Sequence, residues 1–139
     1  MFQERALPDL DNNIKSGNSL IGFDFYDTQD LTLLDEEDYY RVNVFDWKDR
    51  FPQVFTGDNP GFDAVIGNPP YLNIRLLTQV QRESVKDYFK SYYVCAHRGY
   101  DLYVLFIERA LWCLSERGYF GMIVPNKVAT LDYALKCRS

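Results

Sequence analysis

The clearest pattern in the chain is a pair of short apolar runs, each stopped by glycine or proline. The first, Phe62-Asp63-Ala64-Val65-Ile66-Gly67, shows no polar alternation over its second half. Such a run fits a strand buried on both faces of a parallel sheet. The second, Tyr119-Phe120-Gly121-Met122-Ile123-Val124, has the same character and stops at Pro125. Between them the period changes to helical. Thr78-Gln79-Val80-Gln81 has capping-box spacing and opens a helix to about Tyr92, with Val80, Val85, Phe89 and Tyr92 on one face. After the break at His97-Arg98-Gly99, Asp101 is placed to cap a helix over Leu102 to Glu116 that is apolar around much of its circumference. Arg117-Gly118 ends it, and Glu108-Arg109 reads as a helix-surface pair. A last helix starts near Lys127, with Val128, Leu131 and Leu135 on one face.

The N-terminal third is less regular. A strand-like piece is expected around Ile14, followed by a turn at Gly17-Asn18. Asp35-Glu36-Glu37-Asp38 reads as a solvated helix start, and the apolar positions from Tyr39 to Trp47 have no clear period. Pro52 and Gly57-Asp58-Asn59-Pro60-Gly61 mark loop and turn. The order strand, loop, helix, helix, strand, loop, helix predicts an α/β fold whose sheet is mainly parallel and incomplete, flanked by helices. Ligands of such sheets bind beyond the carboxyl ends of the strands. Two segments lie at that edge, residues 67–71 and 125–127.

Composition narrows the chemistry. The 139 residues suffice for one domain core. Aromatics reach 17%, with eleven Tyr and ten Phe, so flat surfaces are plentiful either for packing or for a base or partner. Cysteines at 95, 113 and 137 form no Cys-x-x-Cys pair, which argues against a disulfide framework or a zinc site and for a reducing cytoplasm. With His97 the one histidine, neither a His-based triad nor a multi-His metal site can be assembled, and no metal is expected. No apolar run approaches the roughly 18 residues that cross a membrane. The net charge of −5 is wrong for a main grip on phosphates, which needs clustered Lys and Arg.

Asn68-Pro69-Pro70-Tyr71 follows the first apolar strand at once. Two prolines forbid continued pairing and fix two φ angles, so the tetrapeptide is a stiff loop at a strand's C-terminal end. The lone pair of an exocyclic amino group is delocalised into its ring, which makes it a weak nucleophile. A site helps by accepting both amino hydrogens, as the Asn68 amide oxygen and the Pro69 carbonyl can. Pre-aimed acceptors are the effective kind. Tyr71 offers a plate for an extruded base.

Residues 62–71 resemble the catalytic motif of the gamma-class adenine-N6 methyltransferases, and more closely the methylase part of type IIG restriction enzymes of the Eco57I kind. Asn13-Ile14-Lys15-Ser16-Gly17-Asn18-Ser19-Leu20-Ile21-Gly22, Phe45-Asp46-Trp47-Lys48, Phe51-Pro52, the stretch Asp101 to Glu108 and the stretch Gly118 to Lys127 are also similar to that family. The resemblance implies a Rossmann-like methyltransferase fold, S-adenosylmethionine as methyl donor and adenine in DNA as acceptor. It also implies that Asn68, Pro69, Pro70 and Tyr71 form the acceptor site. Asn18 stands where the family has a polar residue near the cofactor adenine; a turn role beside Gly17 accounts for it equally well. The family's glycine-rich cofactor loop has no counterpart, since no Gly-x-Gly occurs in the chain. Residues 1–139 are therefore expected to be the C-terminal part of a catalytic domain, without its cofactor loop and target-recognition domain, and inactive alone. Two alternatives stay open: a methyltransferase of protein glutamine or an RNA base, and a non-catalytic interaction fragment, including a homodimer through the unpaired sheet edge.

Overall fold

The computed structural model describes residues 10–27, 40–77, 83–97 and 99–129. Among these, two strands pair in parallel, β1 (Phe62–Gly67) and β2 (Leu114–Met122). The helices are α1 (Asp24–Asp27), α2 (Trp47–Arg50), α3 (Ile74–Leu77), α4 (Glu83–Tyr92) and α5 (Leu102–Cys113), and a 3-10 turn follows over Asn126–Ala129. The crossover from β1 to β2 through α4 and α5 is the helical connection a parallel pair requires. The α/β class with an incomplete parallel sheet is what the structure has.

The core lies on the helical side. Val85, Tyr88 and Phe89 share one face of α4 at helical spacing and meet Leu102 to Leu105 of α5 together with Leu20, Ile21 and Phe25. Ile21, Phe25, Tyr103, Val104 and Leu105 have no solvent exposure. Two polar tips within this core are paired, whereas the buried Tyr100 hydroxyl has no hydrogen-bond partner among the described residues. The Tyr88 hydroxyl accepts from the Gly22 N–H at 3.2 Å and donates to Asp24 at 2.9 Å, and that of Tyr93 donates to the Leu20 carbonyl at 2.6 Å. Burial raises the pKa of both phenols far above the ordinary value.

Several expectations need correction. Residues around Ile14 form no strand: Asp11 to Asn13 turn, Ile14 is exposed, and the nearest pairing is an isolated bridge between Asn18 and Val44. Helix α5 stops at Cys113, three residues before the expected end, and β2 begins at Leu114. The cause is tertiary. Phe62 pairs with Leu114, and the Asn59 side chain grips Glu116 by both backbone groups, at 2.9 and 3.3 Å. Gly61 permits this approach, because its φ of 122° is left-handed and an added Cβ would sit 2.7 Å from the Leu114 oxygen. The register then jumps, Phe62 opposing Leu114 but Ala64 opposing Tyr119, with the excursion turning at Arg117, φ 69°.

Neither strand is buried on both faces by the described residues. Ile66, Tyr119 and Ile123 are 85%, 79% and 67% exposed. The last helix begins as a 3-10 turn, and its continuation past 129, like the capping box at 78–81 and the acidic run at 35–38, lies outside the described residues. Cys95 is disulfide-bonded, against the expectation of wholly reduced cysteines, while Cys113 is free.

Candidate active site

The loop after β1 is fixed from three sides. Beyond the last ladder pair, the Ile123 N–H donates to the Gly67 carbonyl at 3.0 Å, so the two strands stay together up to the loop. On the second side, Leu102 N–H donates to the Leu72 carbonyl at 2.8 Å and Ile74 N–H to the Tyr100 carbonyl at 3.0 Å. This ties the loop to the start of α5. On the third, Asp101 connects separate segments. Its carboxylate accepts from the Asn73 amide at 2.9 Å and pairs with Lys127 at 3.1 Å.

Asp101 therefore differs from its expected part. Its backbone has cap geometry, but its side chain makes no capping hydrogen bond. The carboxylate is drawn to Asn73 and Lys127, and it is buried. Lys127, half exposed at the start of the 3-10 turn, is thereby engaged by Asp101.

Within the loop, Pro69 is buried while Asn68 and Pro70 are exposed. Tyr71 is 52% exposed. The buried proline anchors the segment, and the residues on either side of it reach solvent. The Tyr71 ring rests its edge on Tyr103 of α5, centroids 6.2 Å apart at 89°. Its hydroxyl lies 3.0 Å from Asn68 Oδ1 and 2.8 Å from the Ile123 carbonyl oxygen. A cavity of about 450 Å³ opens beside the loop, lined by Asn68, Pro69 and Pro70 and by Ser19, Trp47 and Phe106 among others. Its size suits a small organic ligand.

Asn18 is not part of that lining; its neighbour Ser19 is. The Asn18 side chain accepts from Leu20 N–H at 3.3 Å, closing a turn, and its own N–H donates to the Asn43 carbonyl at 2.6 Å. Trp47 is held over the same region by its indole N–H, which donates to the Ser19 carbonyl at 3.1 Å. Asp46 caps α2 by accepting from Lys48 and Asp49 N–H at 2.9 and 3.1 Å.

Two residues read as a surface pair are structural anchors. Glu108 is buried and accepts from Val94 and Cys95 N–H, both at 2.9 Å. Arg109 lines the cavity, donates to the Tyr93 hydroxyl at 2.8 Å and the Leu20 carbonyl at 3.1 Å, and lies 5.0–5.4 Å from the rings of Tyr92, Tyr93 and Trp112. The available signal was their position in a helix apolar on nearly every side, where a charged residue has little open surface to occupy. Among the described residues no group of His, Cys, Asp or Glu is arranged to hold a metal ion, and no helix is long and apolar enough to cross a membrane.

Comparison with known proteins identifies the family. The Eco57I restriction-modification methylase family matches residues 3–139. The type II restriction enzyme and methyltransferase RM.Eco57I of Escherichia coli is 36% identical over 132 residues, 95% of this chain and 11% of the relative. The type II methyltransferase M.BstVI of Geobacillus stearothermophilus is 42% identical over 77 residues, 55% of this chain and 13% of the relative. M.PaeR7I of Pseudomonas aeruginosa is 35% identical over 78 residues, 56% of this chain and 13% of that protein. The chain thus spans little more than a tenth of the length of these relatives. No solved structure matches it. With the family match running over almost the whole sequence, this chain belongs to the Eco57I restriction-modification methylase family.

Proposed function

We propose that this chain carries the acceptor side of a site that transfers a methyl group from S-adenosylmethionine to N6 of adenine in DNA, within a restriction-modification enzyme. The observation that carries the reading is the exposure of Asn68 and Tyr71 at the C-terminal end of a parallel strand, on a loop braced by Gly67, Leu72 and Asn73. The Asn68 amide oxygen and the Pro69 carbonyl accept the two hydrogens of the target amino group. Tyr71 stacks on the extruded base, and Pro70 holds the loop stiff. Pulling both hydrogens into hydrogen bonds frees the nitrogen lone pair for attack on the methyl carbon. A bound donor would supply the methyl group to that nitrogen, and the surplus amino proton would leave to solvent.

S-adenosylmethionine supplies the electrophilic methyl when bound. The apolar wall at Trp47, Phe106 and Pro69 fits a flat or aliphatic part of such a donor. Asn18 contributes by shaping the turn that places Ser19 on that wall. Because the sequence has no Gly-x-Gly loop, the chain supplies only part of the donor's site. Calorimetry is expected to find weak or no donor binding by the 139-residue chain; tight binding would overturn this division. The negative net charge likewise assigns most of the grip on DNA to basic surface elsewhere. Among the described residues no further strand pairs with the edges of the β1–β2 pair, and for the isolated chain a second copy is the proposed pairing partner.

The test is product identity. The chain is substituted for the matched segment of the full-length Escherichia coli relative, and the resulting protein is given labelled donor and duplex DNA. Nucleoside analysis is expected to find N6-methyladenine. Label on cytosine, on RNA alone or on protein glutamine would refute the adenine assignment.

A further inference from the structure

We infer that the Tyr71 hydroxyl is a positioning group that decides which end of the Asn68 amide faces the substrate. This rests on the proposed function for its purpose, though not for its geometry. A phenol has one proton to give. The Tyr71 oxygen nevertheless stands within hydrogen-bond distance of two groups, the Asn68 amide at 3.0 Å and the Ile123 carbonyl at 2.8 Å. The Ile123 oxygen can only accept. The residue is tethered on its N-terminal side, where the Ile123 N–H donates to the Gly67 carbonyl. The proton therefore goes to Ile123, over the shorter distance. An Asn68 oxygen at the other position would then meet a phenol lone pair. The two ends of an Asn amide have nearly the same shape, so hydrogen-bond partners alone select between them. Turning the amide over puts an N–H against the phenol oxygen, giving the chain Asn68 Nδ2–H to Tyr71 to Ile123 carbonyl.

The consequence is chemical. Asn68 is exposed, so with its nitrogen committed to Tyr71 its oxygen is the end left facing the opening. An acceptor there welcomes an amino group and repels a keto oxygen. Tyr71 thus has two separable tasks: its ring is a stacking plate, and its hydroxyl sets the polarity of the neighbouring acceptor. The link spans 52 residues of sequence between Tyr71 and Ile123, tying the loop after β1 to the end of β2.

Proton NMR of the 15N-labelled chain tests the assignment, with the Asn68 amide resonances identified by their loss in Asn68→Asp. The expected result is a cross-relaxation signal between an Asn68 Hδ2 proton and the Tyr71 ring protons nearest the hydroxyl. In Tyr71→Phe, which keeps the ring, this signal should fall at least about threefold as the amide regains both orientations. Absence of the signal in the wild-type chain, or its persistence at full strength in Tyr71→Phe, overturns the proposal. A second arm separates it from the functional reading. Adenosine and inosine, which differ in an amino against a keto group, are titrated into the wild-type chain while the Asn68 resonances are followed. A response to adenosine alone supports both. A response to neither, with the cross-relaxation signal intact, leaves the positioning role standing and counts against adenine as substrate. A preference for inosine overturns the outward-facing oxygen.

Discussion

The helical side of this molecule and its sheet differ in how completely they satisfy themselves. On the helical side, Val85, Tyr88 and Phe89 of α4, Leu102 to Leu105 of α5, and Leu20, Ile21 and Phe25 are buried, while Phe23, Leu111 and Trp112 stay nearly half exposed, and the Tyr88, Tyr93, Glu108 and Arg109 polar groups have partners. The sheet has two strands among the described residues and leaves Ile66, Tyr119 and Ile123 largely in solvent. Both regions are aromatic and apolar in sequence. What separates them is whether the complementary surface is supplied by the described residues. The candidate site sits at their junction, with Tyr71 resting on Tyr103 from one region and hydrogen-bonded to the end of β2 in the other.

Substitutions on the two sides should therefore behave oppositely. Tyr103→Ala removes a fully buried ring at the centre of the core and should cost about 4 kcal/mol in urea denaturation. Ile66→Ala, at a residue 85% exposed, should cost under about 0.5 kcal/mol. Equal losses would erase the distinction. Glu108→Ala should be the next most damaging, about 3 kcal/mol, because it leaves the Val94 and Cys95 N–H groups without their acceptor. A cost like that of an ordinary surface residue would show that water replaces the carboxylate.

Alkaline pH should attack the helical side selectively. Burial pushes the Cys113 thiol up to about 11 from an ordinary 9.0, and it also raises the Tyr88, Tyr93 and Tyr100 phenols well above their ordinary 10.0. These groups hold their protons more tightly folded than unfolded. Their contribution is complete below the ordinary values and is lost as pH rises through the folded ones. Stability should fall progressively above about pH 9, starting with the thiol and then the phenols. Thermal melts from pH 7 to 11 measure it, and a flat profile would mean the groups are hydrated. The smallest stability effect is expected from Ile66→Lys, within about 0.5 kcal/mol, but it should reduce concentration-dependent sedimentation by charging an exposed strand.

Much of this arrangement was legible in the sequence. The glycine-stopped apolar run, the prolines after it and Asp101 before Leu102 placed β1, the loop and the start of α5 correctly. The end of α5 was not legible, because Leu114-Ser115-Glu116 is compatible with helix and is pulled into a strand by Phe62 and Asn59, more than fifty residues away in the chain. Burial of the strands was misjudged for a related reason. An apolar pattern states what a strand needs on its faces, not whether the chain itself provides it. Glu108 and Arg109 were read by charge alone, whereas the aromatic surroundings that hold Arg109 come from Tyr92, Tyr93 and Trp112 on neighbouring turns and elements. The Tyr71 to Ile123 contact joins two loops that only the parallel pairing brings together.

The most direct measurement is the rate of adenine methylation by the full-length Escherichia coli relative carrying this chain in place of its matched segment, with Asn68→Ala against the same protein unsubstituted, and with circular dichroism confirming equal folding. Asn68 is exposed, so the fold should survive the change. The account predicts a loss of about a hundredfold or more in turnover, the scale for removing one preorganised polar group at a reacting centre. An undiminished rate from a correctly folded variant would contradict it.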